Sequence, residues 1–280
     1  MQFYKTIPEL REALSSIRQA GKSIGLVPTM GNLHEGHLSL VSIARDNVDV
    51  VVVTLFVNPS QFVEGEDFDA YPRTPDADLK KLKEMQVDIV FMPDVTEIYP
   101  VGINTEVTVP ALDSIFCGET RPGHFKGVAT VVTKLFNIVQ ADVAVFGEKD
   151  YQQLLVIRRL VEDLNIPIHI IGAPTVRESN GLAMSSRNQY LSADERKQAA
   201  KLYQCLQKMA AAIKRGDKNY DALEQQSLQE LTDAGFKPDY VRILDANTLK
   251  SPPREKIVII AAAWLGRARL IDNVAVQTYD

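Results

Sequence analysis

Short apolar runs rich in β-branched residues alternate with stretches of helical periodicity over the first 175 residues of this chain. The runs lie at residues 24–27, 48–57, 87–92, 143–146 and 166–171. Such runs are typical of strands that helices cover on both faces of a sheet. Because strands that alternate with helices form βαβ units, the pattern predicts an α/β fold with a Rossmann-like, doubly wound parallel sheet. Ligands of such sheets bind at the carboxyl ends of the strands, near a topological switch point.

The pattern changes near residue 175. Ser192 and Glu195 have the spacing of a helix capping box, and helical periodicity follows to about residue 215 and again over residues 220–234. Strand-like runs come next, at residues 240–244, 257–264 and 269–271. We therefore expect a Rossmann-like domain over residues 1–175 and a smaller C-terminal α+β domain over residues 176–280.

The charge balance and the apolar runs exclude several classes of protein. The 280 residues include 31 Lys and Arg against 36 Asp and Glu, a formal net charge of −5. Proteins that bind nucleic acid or anionic membranes concentrate basic charge instead. The longest apolar run, residues 257–265, is well under the ~18 residues that suggest a membrane span. With no apolar leader behind Met1 and only two cysteines, we expect a cytoplasmic protein with no nucleic-acid or membrane partner.

The first candidate site follows the first predicted strand. It contains His34, Gly36 and His37, at the expected start of a helix. Backbone N–H groups and the positive end of a helix favour anions at such a place. The segment fits neither the dinucleotide fingerprint, nor the P-loop with its lysine, nor the zincin helix. Two histidines three residues apart can face the same side of the first turn and donate to phosphate oxygens. We interpret the segment as a phosphate site rather than an ordinary surface loop.

Polar side chains also follow two later strands. Asn58 and Gln61 come after the second run, and their amides can donate to and accept from a small hydroxy acid. Lys149 comes after the fourth run, where it can balance phosphate charge, and Gln153 lies one turn into the helix that follows. A plain Asn-Pro turn and a solvated Lys-Asp pair are the alternative interpretations.

Three further segments carry candidate ligands. Ser185, Ser186 and Arg187 combine hydroxyl donors with a permanently charged guanidinium, a set that can hold a triphosphate. His124 lies in a turn-rich loop. Carboxylates at residues 76–78 can serve Mg²⁺, which takes few protein ligands, but an aspartate near a helix start is more often a cap or dipole partner.

Taken in order along the chain, these motifs resemble the pantoate–β-alanine ligase family. The matching blocks are residues 27–34, 56–62, 121–125, 146–150, 184–188 and 262–273. Residues 34–37 resemble the HIGH motif of the nucleotidylyl-transferase superfamily, and residues 184–188 its KMSKS loop. The resemblance implies a ligase that condenses (R)-pantoate with β-alanine to pantothenate, on the route to coenzyme A. ATP would first give pantoyl adenylate and pyrophosphate, and the amine would then release AMP.

The same resemblance implies roles for individual residues. It places in catalysis His34, His37, Lys149 and Arg187, with His37 as the family's proton donor. It implies ATP contacts from Met30, His34, His37, Gly147, Glu148, Lys149, Asp150, Val176, Met184, Ser185, Ser186 and Arg187. It implies pantoate and β-alanine contacts from Asn58, Gln61, His124 and Gln153. Mg²⁺ is implied near Asp78, although Ala77 stands where some relatives carry another acid.

The resemblance also implies a separate role for each of the two domains. The Rossmann-like domain would bind nucleotide and pantoate, and the C-terminal domain would close over the active site. A homodimer is implied as well, and the alternation of polar and apolar residues at 105–109 predicts an interface strand.

Two other functions stay open at this point. Another adenylyl- or cytidylyltransferase of the superfamily, acting on a phosphate-ester acceptor, would share these motifs. A nucleotide-binding regulator without turnover would share the fold, but the presence of His34, His37, Lys149 and Arg187 favours an enzyme.

Overall fold

A computed structural model describes residues 1–66, 68–253 and 256–277 of the chain. Contacts among these residues divide the chain into two compact units. The first unit comprises Met1–Glu148 and Gln152–Pro174. The second comprises Lys149–Tyr151 and Thr175–Asp280, so it takes in four residues, 149–151 and 175, that the sequence pattern assigns to the N-terminal domain.

The first unit is built on a parallel sheet. In the part of the chain that the structure describes, this sheet has six strands, β1 (Gln2–Tyr4), β2 (Ile24–Thr29), β3 (Val50–Leu55), β4 (Ile89–Phe91), β5 (Val143–Gly147) and β6 (His169–Ala173). Their order across the sheet is β1-β4-β3-β2-β5-β6, and the pairs are parallel. The predicted Rossmann-like sheet is confirmed. The sequence pattern did not predict β1, a short and mostly exposed edge strand.

Helices separate these strands, as the alternation predicts. They are α1 (Ile7–Gln19), α2 (Glu35–Arg45), α3 (Pro75–Glu84), α4 (Val95–Ile98), α5 (Pro110–Asp113), α6 (Cys117–Thr120), α7 (His124–Val139) and α8 (Tyr151–Asp163). Helix α7 begins three residues earlier than the expected residue 127, because Gly123 supplies a left-handed N-cap at φ 85°. That early start puts His124 in the first turn of the helix.

The strand order fixes where a ligand can bind. The chain passes from β2 to β3 and β4 on one side of β2, whereas β5 and β6 lie on the other side. Strands β2 and β5 pair directly, with Gly25 opposite Val143 and Leu26 opposite Ala144. The loop after β2 therefore lies at the topological switch point, where open α/β sheets bind their ligands.

The second unit places two helices against an antiparallel sheet. The elements are α9 (Ala193–Lys214), α10 (Tyr220–Asp233), β7 (Lys237–Asp245), β8 (Lys256–Leu265) and β9 (Ala268–Gln277), with the strands in the order β7-β8-β9. The predicted capping box is present, since the Ser192 backbone N–H donates to Glu195 at 2.8 Å and the Ser192 hydroxyl accepts from the Glu195 backbone at 3.3 Å. Cys205 and its helical neighbours are buried in the core of this unit.

Two features outside the sheets bear on the sequence interpretation. Residues 103–109 form no strand with the described residues of this chain, so the interface strand at 105–109 stays a prediction. The backbone N–H of Val107 donates instead to the Thr130 hydroxyl of α7 at 3.0 Å. None of the helices that the structure describes has the length and apolarity to cross a membrane.

Candidate active site

The loop after β2 is shaped by one buried hydroxyl and two left-handed residues. Thr29 Oγ1 donates to the Thr54 carbonyl at 2.7 Å and accepts from the Gly31 N–H at 3.2 Å. Gly31 and Asn32 have φ values of 83° and 50°, and glycine and asparagine tolerate that region best. The chain thus reverses sharply and directs His34 to the N-terminus of α2.

Asp78, in the first turn of α3, holds this loop from the other side. Its side chain is only 2% exposed. Oδ2 accepts from the Asn32 N–H at 2.9 Å and Oδ1 accepts from the Leu33 N–H at 2.8 Å. The Thr74 hydroxyl also donates to Oδ2, at 3.1 Å, and Lys81 Nζ donates to the Leu33 carbonyl at 2.5 Å. Helix α3 therefore sets the backbone path that leads into His34.

These surroundings do not fit the Mg²⁺ ligand that the resemblance implied at Asp78. The oxygens of this buried carboxylate already accept hydrogen bonds from backbone N–H groups of the protein, so they are not directed at a metal ion. Among the described residues, no cluster of three or more His, Cys, Asp or Glu side chains could hold a metal ion. The structure assigns Asp78 to the loop.

His34 and His37 form a reciprocal cap at the start of α2. The Gly36 N–H donates to His34 Nδ1 at 3.1 Å, and the His34 N–H donates to His37 Nδ1 at 3.3 Å. The two ring centroids lie 4.0 Å apart. A backbone N–H can only donate, so each Nδ1 must accept, and the proton of each neutral ring lies on Nε2. Both histidines therefore carry a donor N–H on the nitrogen remote from the cap.

This arrangement suits an anion such as a phosphate. The N-terminus of α2 supplies the positive end of a helix of eleven residues, and the two Nε2–H groups add directional donors beside it. Gly36, between the histidines, has no side chain to block the approach of a ligand to the backbone. The predicted pairing of His34 and His37 on one side of the first turn agrees with the observed ring contact.

Asn58, which the resemblance implied as a substrate ligand, is enclosed by protein groups. It is 1% exposed. Its Oδ1 accepts from the Ser60 N–H at 3.3 Å, the Ser60 hydroxyl at 2.9 Å and the Tyr99 hydroxyl at 3.0 Å. Its Nδ2 donates to Gln61 Oε1 at 3.1 Å and to the Gly127 carbonyl at 3.2 Å. The polar atoms of Asn58 are thus engaged by protein groups, among them the side chain of Gln61.

These hydrogen bonds determine which end of the Gln61 amide faces outward. The Ser60 N–H fixes Oδ1 of Asn58 as the acceptor, so Nδ2 of Asn58 is the group that points at Gln61. Gln61 Oε1 accepts from it, and Nε2 of Gln61 is therefore the donor directed elsewhere, 3.1 Å from the Met30 sulfur. Burial raises the pKa of Tyr99 and keeps its hydroxyl a neutral donor to Asn58. The site presents an amide N–H at Gln61, next to another predicted ligand, Met30.

His124 contacts the same turn through its ring. Nδ1 lies 2.7 Å from the Gln61 carbonyl oxygen, and Nε2 lies 2.9 Å from Nη1 of Arg121. Arg121 also donates to Glu66 through Nε, and through Nη2 at 2.7 Å. Burial raises the pKa of Glu66, but the hydrogen bonds and positive charge of Arg121 outweigh it and hold that pKa below its usual value. Arg121 and Glu66 were not predicted as site residues, because 55 residues separate them and no local pattern connects them.

The predicted ATP contacts at residues 176 and 184–187 lie in the second unit. The Met184 N–H donates to the Val176 carbonyl at 3.0 Å, which joins the two ends of a hairpin. Ser185 Oγ accepts from the Arg187 N–H at 3.3 Å and caps the 3₁₀ turn Ser186–Tyr190. Arg177 pairs with Asp272 through two hydrogen bonds, at 2.6 and 2.8 Å. The hairpin is thereby attached to β9.

Lys149 and Asp150 also belong to the second unit. Asn273 of β9 donates to the Lys149 carbonyl at 3.0 Å, and Lys149 Nζ lies 3.6 Å from Asp150 Oδ1. Gly147, at the end of β5, has open space where a Cβ would lie, which suits close approach of a ligand. Glu148 follows it in the first unit. Gln153 is half-buried in the first turn of α8.

Comparison with known proteins identifies the family. The model of the pantoate–β-alanine ligase family matches residues 2–275. The pantothenate synthetases of Pseudomonas fluorescens (strain Pf0-1) and Azotobacter vinelandii (strain DJ) are 54% and 52% identical, over 98% of this chain and 97% and 98% of theirs.

Solved structures agree. The crystal structure of pantothenate synthetase from Thermus thermophilus matches with a TM-score of 0.93 at 45% identity, over 99% of this chain and 100% of that one. Pantoate–β-alanine ligase from Francisella tularensis, complexed with β,γ-ATP and β-alanine, matches with a TM-score of 0.81 at 36% identity, over 98% and 97%. The chain described here belongs to the pantoate–β-alanine ligase family, whose enzymes join pantoate to β-alanine.

Proposed function

We propose that this chain joins (R)-pantoate to β-alanine at the expense of ATP, through a pantoyl-adenylate intermediate. The proposal rests on the reciprocal cap of His34 and His37, which leaves a donor Nε2–H on each neutral ring. These donors lie at the N-terminus of α2, at the switch point of the sheet. Membership of the ligase family names the two acids that are joined.

The chemistry requires activation because a carboxylate does not condense with an amine in water. In the first step a carboxylate oxygen of pantoate attacks the α-phosphorus of ATP, and the bond from that phosphorus to the bridging oxygen breaks, which releases pyrophosphate. In the second step the amine of β-alanine attacks the acyl carbon, the bond to AMP breaks, and the amine loses a proton to solvent. Holding the two reactants in line supplies much of the rate.

We assign His34 and His37 to the phosphates of ATP. Negative charge grows on the leaving pyrophosphate, and preorganised N–H donors stabilise it most at that moment. By analogy with oxyanion-hole donors, one such group is worth about 10²–10³ in rate. The family convention makes His37 a proton donor, and the Nε2–H that its cap fixes is the proton in question.

We assign Gln61 and Gln153 to pantoate, with Gln61 also near β-alanine. An N–H at Gln61 Nε2 suits a carboxylate or hydroxyl oxygen, and its orientation is supported by the hydrogen bond from Asn58. Asn58 and His124 would act here by holding Gln61 rather than by touching substrate, because the hydrogen bonds described above engage their polar atoms.

The remaining ATP contacts are proposed from the family pattern. We assign to the nucleotide Met30, Gly147, Glu148, Lys149, Asp150 and Val176, with Asp150 on the ribose hydroxyls. We assign to the phosphates Met184, Ser185, Ser186 and Arg187, with Lys149 and Arg187 as catalytic cations. The hairpin pairing of Val176 with Met184 supports a shared role for these two positions.

Three further assignments complete the proposal. Mg²⁺ would accompany ATP, held by phosphates and water rather than by Asp78, since this ion keeps several waters when bound with nucleotides. A homodimer is supported by exposed apolar side chains at Val95, Val101 and Ile103, with Val101 78% exposed. A cytoplasmic location is consistent with the mildly acidic composition.

The test is an ATP–pyrophosphate exchange assay with radiolabelled pyrophosphate. We expect exchange only when pantoate is present, without β-alanine, and pantothenate formation when β-alanine is added. Exchange that is independent of pantoate, or that requires a phosphate-ester acceptor instead, would assign the chain to another nucleotidylyltransferase activity. Light scattering checks the dimer in the same preparation.

A further inference from the structure

We propose that His124 is a positioning residue, a neutral imidazole with its proton on Nδ1 that fixes the backbone of Gln61 while Arg121 fixes the imidazole. The substrate role of Gln61 rests on the function proposed above, but the state of the ring does not. The residues that support this inference come from two distant segments, the turn at residues 58–66 and residues 121–127, which lead into the first turn of α7 and include it. His124 itself is 7% exposed.

The partners of the ring determine where its proton lies. A guanidinium has donors only, so Nη1 of Arg121 donates to His124 Nε2, at 2.9 Å. A backbone carbonyl only accepts, so Nδ1–H of His124 donates to the Gln61 oxygen, at 2.7 Å. Each of the two hydrogen bonds by itself requires the tautomer with its proton on Nδ1. The two hydrogen bonds are therefore independent evidence for that tautomer. This tautomer is opposite to the one that the cap imposes on His34 and His37.

Glu66 holds the guanidinium in the orientation that this requires. Arg121 donates to the two carboxylate oxygens of Glu66 through Nε and Nη2, a bidentate pair that leaves Nη1 directed at His124. Nη2 also lies 3.4 Å from the Gln61 carbonyl. The chain of hydrogen bonds runs from Glu66 through Arg121 to His124 and ends on the backbone of Gln61.

The first turn of α7 touches the Gln61 turn at a second point. A Cβ built at Gly127 would overlap the Ser60 carbonyl and lie 2.7 Å from the Gln61 Cα. The Gly127 carbonyl accepts from Nδ2 of Asn58, the same group that orients the Gln61 side chain. Gln61 is thus held at its backbone by His124 and at its amide by Asn58, and both interactions are anchored on α7.

This arrangement gives His124 a role different from that of a ligand or a proton carrier. To take up a proton on Nε2, the ring would have to lose the Arg121 hydrogen bond and set two cations together. To bind substrate through Nδ1, it would have to release Gln61. The geometry points to a ring that contributes to pantoate binding through the placement of Gln61.

Two substitutions separate the two hydrogen bonds of the ring. In His124→Asn the amide Nδ2 can take the place of Nδ1–H and donate to Gln61, but nothing reaches Arg121. In His124→Gln the amide can meet Arg121 through Oε1, but no donor lies at the Nδ1 position. Arg121 keeps Glu66 as its partner in both variants. The pair is therefore matched in polarity and differs in which hydrogen bond survives.

Exchange kinetics and thermal unfolding test the proposal with these variants and the wild type. We expect kcat/KM for pantoate in His124→Asn to stay within about fivefold of wild type. In His124→Gln it should fall roughly tenfold to a hundredfold, the range expected when a buried carbonyl loses its donor. KM for ATP should change less than KM for pantoate in both. Equal losses in the two variants, or a larger loss in His124→Asn, would overturn the proposal.

A spectroscopic measurement keeps the test independent of turnover. In the full-length protein labelled with ¹⁵N-histidine, at about pH 7, one imidazole should carry its proton on Nδ1, and its signals should vanish in His124→Asn. A wild-type His124 protonated on Nε2, or on both nitrogens, refutes the proposal whatever the activity. A wild-type protein without pantoate-dependent exchange, but with the Nδ1–H signature, would instead refute the proposed function.

Discussion

The substitution Asp78→Asn separates a loop anchor from a metal ligand. The asparagine has nearly the same shape but only one acceptor oxygen. If that oxygen serves the Leu33 N–H, the new NH₂ group faces the Asn32 N–H and the Thr74 hydroxyl, where the carboxylate had accepted at 2.9 and 3.1 Å. Two donors would then meet in a site that is 2% exposed.

The expected change in stability follows from the hydrogen bonds that the substitution removes. A hydrogen bond to a charged group contributes about 1.5–3 kcal/mol, and a buried donor left without an acceptor costs about 1–3 kcal/mol. Because one backbone hydrogen bond can survive, we expect the free energy of unfolding to fall by about 2–4 kcal/mol. Asp76→Asn, at an exposed position in the same first turn, is the matched control. It loses only a favourable interaction with the helix dipole, worth about 0.3–1 kcal/mol.

Urea unfolding and a Mg²⁺ titration of pyrophosphate exchange distinguish the two roles. A loop anchor predicts lower stability, a raised KM for ATP and an unchanged Mg²⁺ concentration at half-maximal activity. Unfolding of Asp78→Asn at the same urea concentration as Asp76→Asn would contradict a loop-anchor role for Asp78. A loop-anchor role is also contradicted if the only change in Asp78→Asn is a higher Mg²⁺ concentration at half-maximal activity.

Three further predictions concern the same unit. In His37→Asn the side-chain oxygen can still accept from the His34 N–H but no Nε2–H remains, so exchange should fall about 10²–10³-fold with little change in Tm; near wild-type exchange would contradict the assigned role. Gly127→Ala should push α7 away from Ser60 and Gln61, costing about 1–3 kcal/mol of stability in urea unfolding and raising KM for pantoate more than KM for ATP. Since the folded pKa of Glu66 is lowered, its contribution to stability is complete above the unfolded value of about 4.3 and is lost as the pH falls through the lower folded value. The stability difference between wild type and Glu66→Gln, measured by urea unfolding, should therefore shrink on acidification below about pH 4; a difference that widens there would contradict the lowered pKa.

Much of the fold could be predicted because its signals are local. The β-branched run at 48–57 yields β3 at Val50–Leu55, and the capping box at Ser192 begins α9. The sequence pattern did not predict β1, whose three residues are too few to show a periodicity. The strand predicted at 105–109 has no partner strand among the described residues of this chain, and it stays a prediction for an interface between two chains.

The site was predictable in part for the same reason. The spacing of His34 and His37 is a property of one helical turn, and the structure brings their rings together. Asp78 accepts a hydrogen bond from the backbone N–H of Asn32, 46 residues away in the sequence. No pattern in either segment predicts this contact. The family resemblance implies substrate contacts for Asn58 and His124, and tertiary contacts that no local pattern predicts direct a polar atom of each at Gln61.

The three histidines near the loops after β2 and β3 illustrate how backbone partners decide what an imidazole can do. At His34 and His37 a backbone N–H occupies Nδ1 as donor, so the ring must carry its proton on Nε2 and can offer it to phosphate. At His124 a backbone carbonyl accepts from Nδ1, so the ring proton lies on Nδ1 and is used in a hydrogen bond within the protein. Nε2 then accepts a hydrogen bond, and Arg121 is its donor. Protonation of His34 or His37 on Nδ1 would set N–H against N–H and break the cap. The neutral rings are therefore the forms that the fold supports, and the phosphates would be met at these positions by oriented donors rather than by full positive charges.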